Sequence, residues 1–124
     1  MEDIIIKNYK IIKLKIAKNE KHLCKCYLAD SFFKRFKGLM LASPLVDDEA
    51  LFLTKTNSIH MFFMKYELDI IFLDKDNHIV EIINSIKRRR VTKIYSKAVS
   101  VVELKAGYLK SFDLSIGDLL EEYE

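Results

Sequence analysis

The chain has 124 residues, of which 50% are hydrophobic and 31% are charged, and its formal net charge at pH 7 is +3. With one proline and three glycines, this composition excludes disordered, collagen-like and low-complexity chains and is typical of a single folded domain. The longest apolar runs are far shorter than the roughly 18 residues that a membrane-spanning helix needs, so we do not expect an integral membrane protein.

The amino terminus lacks the features of a secretory signal. It begins with the acidic sequence Met1-Glu2-Asp3, and the apolar stretch Ile4 to Ile6 is too short for the hydrophobic part of a signal peptide. We therefore expect a cytoplasmic location. Lysines recur in the first part of the chain, and we expect this basic region (1–21) to open one domain that spans residues 1–124.

Two strands are predicted near the amino terminus. In residues 11–16, lysines alternate with isoleucine and leucine with a period of two, which predicts a half-buried strand. A turn at 19–21 then leads to a predicted partner strand over 22–28. Cys24 and Cys26 point to one face of that partner strand. Because no second cysteine pair completes a ligand set, we expect two small buried side chains, with a metal or redox role as the alternative.

A short helix is predicted next. The phenylalanines of 32–36 recur at helical spacing, and Asp30 or Ser31 can cap the amino end of the helix. A loop over 43–48 then leads to a strand over 50–54.

The remaining elements are mostly strands. They are predicted at 59–64, 68–73, 78–83, 98–104 and 119–123. A tight turn at 74–77 joins two of them, the cationic run at 87–90 predicts a loop, and a turn at 106–107 precedes a short helical piece. Seven to nine short strands with one or two short helices predict a mainly β fold, with a minor α component, that forms a small closed or half-closed barrel.

Three ionisable residues interrupt the apolar pattern of the central strands. Asp69 and Glu103 each share a strand face with apolar residues, and His60 lies within a nearly apolar run. Because a buried carboxylate is costly unless it is paired or hydrogen-bonded, each carboxylate predicts a partner, and His60 could pair with Asp69. A solvated edge or an internal hydrogen bond is the simpler interpretation of each residue alone. The cationic candidates are Lys65, Arg35 and the arginines of 87–90.

Six motifs follow one another along most of the chain. They are Phe36 to Met40, Ile59 to Lys65, Leu68 to Asp74, Arg90 to Thr92, Val101 to Gly107 and Ile116 to Asp118. Their order resembles domain-of-unknown-function family 192, over a core of roughly residues 22–122. The resemblance implies a small, mainly β domain without an established activity. It also implies a link to secretion or pilus systems, because many family members carry an export signal or lie near such genes.

We interpret the chain as a non-catalytic binding or accessory domain. It would have a small pocket for an anionic group of a small ligand or of a partner protein's segment, in which cations hold the anion and carboxylates orient the cations. The residues expected to line it are His60, Met64, Lys65, Asp69, Arg35, Arg90 and Glu103. We expect no metal and no cofactor, because the glycine-rich phosphate loops and zinc-binding motifs are absent.

Two other functions are compatible with the sequence. In the first, the chain is a small enzyme of undefined reaction, with His60 and Asp69 as a general base and Lys65 stabilising negative charge. In the second, the run Lys87 to Arg90 binds nucleic acid weakly through phosphate contacts. The net charge is modest, which favours a solvated loop over this second interpretation.

Overall fold

The computed structural model describes residues 9–31, 34, 45–61 and 65–124. Within these residues, seven strands form one sheet. In chain order the strands are β1 (Lys10–Ile16), β2 (Lys21–Ala29), β3 (Glu49–Thr54), β4 (Leu68–Leu73), β5 (Ile79–Ile86), β6 (Ser100–Lys105) and β7 (Leu120–Tyr123). A short 3₁₀ helix, Tyr108–Ser111, lies between β6 and β7.

The sheet is curved so that its two edge strands meet at one end. The strand order is β5-β4-β6-β3-β2-β1-β7, and every neighbouring pair is antiparallel except β2 and β3, which are parallel. Backbone hydrogen bonds connect the two edges, from the N–H of Ile79 to the carbonyl of Asp118 (2.8 Å) and from the N–H of Leu120 to the carbonyl of Asn77 (3.0 Å). This half-closed barrel confirms the predicted mainly β fold.

Two apolar cores lie on opposite faces of the sheet, because successive side chains of a strand alternate between its faces. We call the first the barrel core, since it joins residues of both edge strands; it includes Leu14, Ile16, Cys24, Cys26, Ala50, Ile71, Leu73, Ile79, Val102, Leu104, Leu109 and Leu120. We call the second the outer core, since connecting segments cover it; it includes Tyr27, Leu51, Leu53, Ile59, Met61, Ile70, Phe72, Ile86 and Val101.

The amino-terminal hairpin agrees with the period-two pattern. Leu14 and Ile16 of β1 are fully buried in the barrel core, with Ile12 packed against it. The two cysteines of β2, Cys24 and Cys26, are also fully buried there, and their Sγ atoms are 3.4 Å apart. They therefore occupy the small buried positions that the sequence predicts.

Residues 59–61, the described part of the strand predicted at 59–64, do not belong to the sheet. The described part of the expected strand, 59–61, forms only an isolated bridge between His60 and Val91, and 62–64 lie outside the described residues. The reason is that 59–61 pairs with a connecting segment instead of joining the sheet: the N–H of Met61 donates to the carbonyl of Arg90 at 2.7 Å.

Only the beginning of the predicted first helix can be described. The Oγ of Ser31 accepts a hydrogen bond of 3.2 Å from the N–H of Lys34, which is the geometry of a helix cap. The phenylalanines predicted to form this helix lie outside the described residues. The helical residues that the structure does describe include no segment with the length and apolarity to cross a membrane.

Candidate functional site

Glu103 is a buried carboxyl group at the centre of the sheet. It lies on β6, between Leu51 of β3 and Ile70 of β4, and is 0% exposed. Because its neighbours Val102 and Leu104 belong to the barrel core, the side chain of Glu103 points to the opposite face and enters the outer core. Both of its cross-strand partners, Leu51 and Ile70, are apolar.

The carboxyl group of Glu103 makes no hydrogen bond with the part of the chain that the structure describes, through either oxygen. Desolvation by burial raises the pKa of Glu103 to about 8. The group is therefore protonated at neutral pH and has one O–H donor and acceptor oxygens available. Buried polar groups in proteins are nearly always hydrogen-bonded, so an unpartnered carboxyl group here calls for an explanation.

Two polar residues that the strand register places near Glu103, Tyr27 and Lys105, interact with other residues. Tyr27 lies in the same cross-strand row, but its hydroxyl donates to Oε2 of Glu49 at 2.9 Å. Lys105 lies two residues further along β6, and its Nζ is 3.3 Å from Oδ1 of Asp47. Neither residue forms a hydrogen bond with the carboxyl group of Glu103.

The segments that carry His60 and Arg90 lie on the same side of the sheet as Glu103. Ile59 and Met61 flank His60 and pack into the outer core, and the carbonyl of Arg90 accepts the hydrogen bond from Met61. The residues His60 and Arg90 are themselves exposed, as is Lys65. The structure therefore brings His60 and Arg90 into paired segments above the face that contains Glu103.

Asp69 lies on the opposite face. It is 0% exposed, and because Ile71 of the same strand belongs to the barrel core, Asp69 points into that core. Its Oδ1 accepts a hydrogen bond from the N–H of Ser85 (2.8 Å), and its Oδ2 accepts one from the N–H of Leu109 (3.0 Å). Asp69 therefore has hydrogen-bond partners, as expected, but the partners that the structure shows are backbone N–H groups and not His60 or a cation. The sheet separates Asp69 from Glu103. The remaining predicted site residues, Met64 and Arg35, lie outside the described residues.

The sequence profile of domain-of-unknown-function family 192 (DUF192, Uncharacterized ACR, COG1430) matches residues 13–121. The chain belongs to this family. The resemblance carried by the six motifs is thereby confirmed.

A UPF0127 protein of Thermococcus sibiricus is 38% identical over 102 residues, which are 76% of this chain and 63% of that protein. A UPF0127 protein of Pyrococcus furiosus is 30% identical over 111 residues, covering 87% of this chain and 95% of that protein.

Two crystal structures have the same fold as this DUF192 protein. One, from Sinorhizobium meliloti and described as a candidate transcription regulator, has a TM-score of 0.80 and 22% identity, covering 92% of this chain and 95% of its own. The other, a protein of unknown function from Novosphingobium aromaticivorans, has a TM-score of 0.76 and 19% identity, covering 91% of this chain and 84% of its own. At these identities the likeness establishes the fold alone.

A cavity that the sequence did not predict lies at the end of the sheet where β3 ends and β6 begins. Its volume is about 510 Å³, and it also borders the turn between β4 and β5. Two lysines, Lys55 and Lys75, line it together with threonine, asparagine and serine side chains. The two lysines are 20 positions apart in the chain and belong to no shared motif, so the sequence contains no local signal for this cavity.

The turn between β4 and β5 has three side chains that could contact a metal ion. Ligand atoms of Asp74, Asp76 and His78 lie within 4.8 Å of one another. However, Oδ1 of Asp74 accepts hydrogen bonds of 2.9 Å from the N–H groups of both Asp76 and His78. Asp74 thus fixes the tight turn that the sequence predicts at 74–77.

Proposed function

We propose that this DUF192 protein is a binding domain whose site lies on the outer-core face of the sheet, with Glu103 at its base. The ligand is a small molecule or a partner's segment that presents an anionic, hydrogen-bond-accepting group. The observation that supports this proposal is the complete burial of Glu103 without a hydrogen-bond partner among the described residues. A buried polar group left unpaired costs about 1–3 kcal/mol, and a ligand that accepts its hydrogen bond offsets that cost.

The protonation state of Glu103 suits an anionic ligand. With a pKa of about 8 the carboxyl group is neutral at pH 7, so it donates a hydrogen bond without repelling a negative charge. Arg90 and His60, on the paired segments that cover this face, supply groups that can hold the anion, and an arginine can do so with two parallel hydrogen bonds. Met64, Lys65 and Arg35 remain predicted members of the site.

The two alternative functions have less support. A general base formed by His60 and Asp69 requires the two side chains to approach each other, whereas Asp69 points into the barrel core and binds two backbone N–H groups. The run Lys87 to Arg90 is exposed, as expected of a solvated loop. We therefore favour binding over catalysis.

Thermal unfolding in the presence of small anions tests the proposal. At neutral pH, acetate, succinate, citrate and phosphate are each compared with sodium chloride of equal ionic strength. We expect at least one of them to raise the melting temperature of the natural protein, because a ligand that binds only the folded state stabilises it. The gain should be lost in Glu103→Leu and reduced in Arg90→Ala, and it should persist in Arg88→Ala, which removes a neighbouring exposed cation as the control.

Two results would count against this assignment. The first is the absence of a shift with every anion. The second is an equal shift in the natural protein and in Glu103→Leu, which would place the bound anion elsewhere on the molecule.

A further inference from the structure

The cavity between β3, β6 and the β4–β5 turn is independent of the Glu103 site. Its volume of about 510 Å³ is within the range of small-molecule pockets, and neither Glu103 nor His60 lines it. The cavity is therefore a separate candidate binding site.

Backbone hydrogen bonds connect the walls of this cavity. The N–H of Val99 donates to the carbonyl of Leu73 at the end of β4 (2.8 Å), and the carbonyl of Val99 accepts from the N–H of Thr56 (3.0 Å). The turn that contains Lys75 forms another wall. It is fixed by the hydrogen bonds that Oδ1 of Asp74 accepts from the N–H groups of Asp76 and His78. Because hydrogen bonds within the protein itself hold these walls in place, binding need not order them.

The charges on the cavity walls favour a single negative charge. Among the described residues of the lining, Lys55 and Lys75 are cationic and Asp74 is acidic, which leaves one net positive charge. Across the described residues, neither lysine forms an ion pair with a carboxylate. Asp74 is held ionised: desolvation acts to raise its pKa, but hydrogen bonds from the backbone of His78 and Asp76 lower it overall. Two available ammonium groups and one occupied carboxylate match a monoanion.

The cavity also has an apolar part. Phe52 and Ala98 are 8% and 4% exposed, whereas Val99 is 45% exposed and has apolar surface available for contact. A bound molecule with an apolar body would remove that surface from water.

We propose that this cavity binds a small organic monocarboxylate, with its carboxylate between Lys55 and Lys75 and its apolar body against Val99. The combination of a cavity with fixed walls, two ammonium groups that form no ion pair with the described carboxylates and an adjacent apolar side chain carries the inference. It does not depend on the Glu103 site.

The test is a titration of the ¹⁵N-labelled full chain with sodium hexanoate and sodium benzoate, followed by amide chemical shifts. We expect saturable shifts at residues 55–57, 74–77 and 98–100. Lys55→Ala and Lys75→Ala should each weaken binding about threefold, the effect of losing an ion pair at an exposed position. Lys97→Ala removes an exposed lysine that is not part of the lining and should leave the affinity unchanged.

Benzamide and inorganic phosphate complete the experiment. Benzamide has the shape of benzoate without its charge and should bind more weakly, and phosphate should bind more weakly because it lacks the apolar body. The proposal is overturned if neither carboxylate shifts these amides, if benzamide binds as well as benzoate, or if both lysine variants bind as the natural protein does. Glu103→Gln should retain these shifts, so failure of one site is distinguishable from failure of the other.

Discussion

Asp69 and Glu103 occupy successive cross-strand positions of β4 and β6, yet their carboxyl groups lie on opposite faces of the sheet. Asp69 pairs with Leu104 and Glu103 pairs with Ile70, so the two residues are one register step apart. Asp69 accepts two backbone hydrogen bonds, whereas Glu103 makes none with the described residues. Two equally buried carboxyl groups therefore have different consequences for stability and for binding.

Replacing Glu103 by leucine should stabilise the protein. The substitution removes a buried polar group that lacks a partner and retains a side chain of similar size, so we expect the free energy of unfolding to rise by about 1 kcal/mol at pH 4, where Glu103 is largely protonated in both the folded and the unfolded state. Urea denaturation measures this change. Glu103→Gln is the matched control, because its amide is also polar and should give a smaller gain or none. A clear loss of stability in Glu103→Leu would mean that the carboxyl group has a stabilising partner.

The stability of the natural protein should fall as the pH rises from about 5 towards 8. The folded-state pKa of Glu103 is raised from 4.5 to about 8, so the unfolded chain releases this proton at a lower pH than the folded protein does. The stabilisation is complete below the unfolded-state pKa and is lost progressively up to the folded-state pKa, with a slope of at most about 1.4 kcal/mol per pH unit. Denaturation curves across this range should show the decline, and Glu103→Gln should reduce it. Identical pH profiles for both proteins would refute this role of Glu103.

Asp69→Asn should be strongly destabilising. An asparagine can accept a hydrogen bond from only one of the N–H groups of Ser85 and Leu109, and its own NH₂ group then faces the other donor. We expect a loss of about 2–3 kcal/mol in the free energy of unfolding, measured by urea denaturation. The control is Asp76→Asn in the exposed turn, which should change stability by less than about 0.5 kcal/mol. Equal effects of the two substitutions would show that the backbone contacts of Asp69 contribute little.

The two thiol groups of β2 should not react in the folded protein. Cys24 and Cys26 are fully buried, and the hydrogen bond between the two thiol groups together with desolvation raises the pKa of Cys24 well above its usual value. Because the thiolate is the reactive form, both thiols should resist Ellman's reagent under native conditions and react rapidly in denaturant. Fast reaction of the folded protein would indicate that the barrel core opens at β2.

Most of the β-structure could be predicted from local patterns. The alternation in residues 11–16 predicts β1, and the polar cluster at 74–77 predicts the turn between β4 and β5, because each signal lies within a few adjacent residues. The strand predicted at 59–64 is not part of the sheet over its described residues, 59–61, since apolar content alone does not reveal that these residues pair with a connecting segment.

By itself, the sequence determined most of the strands and the family, because these follow from local periodicity and motif order, and it singled out Asp69 and Glu103 as ionisable residues within apolar strands. Only the tertiary structure decided which face each carboxyl group occupies and what it binds. The donors to Asp69 are 16 and 40 residues away, and Lys55 and Lys75 meet only because the ends of separate strands converge. The physical reason is that alternation defines two faces of a strand, whereas the curvature and pairing of the whole sheet determine what each face encloses.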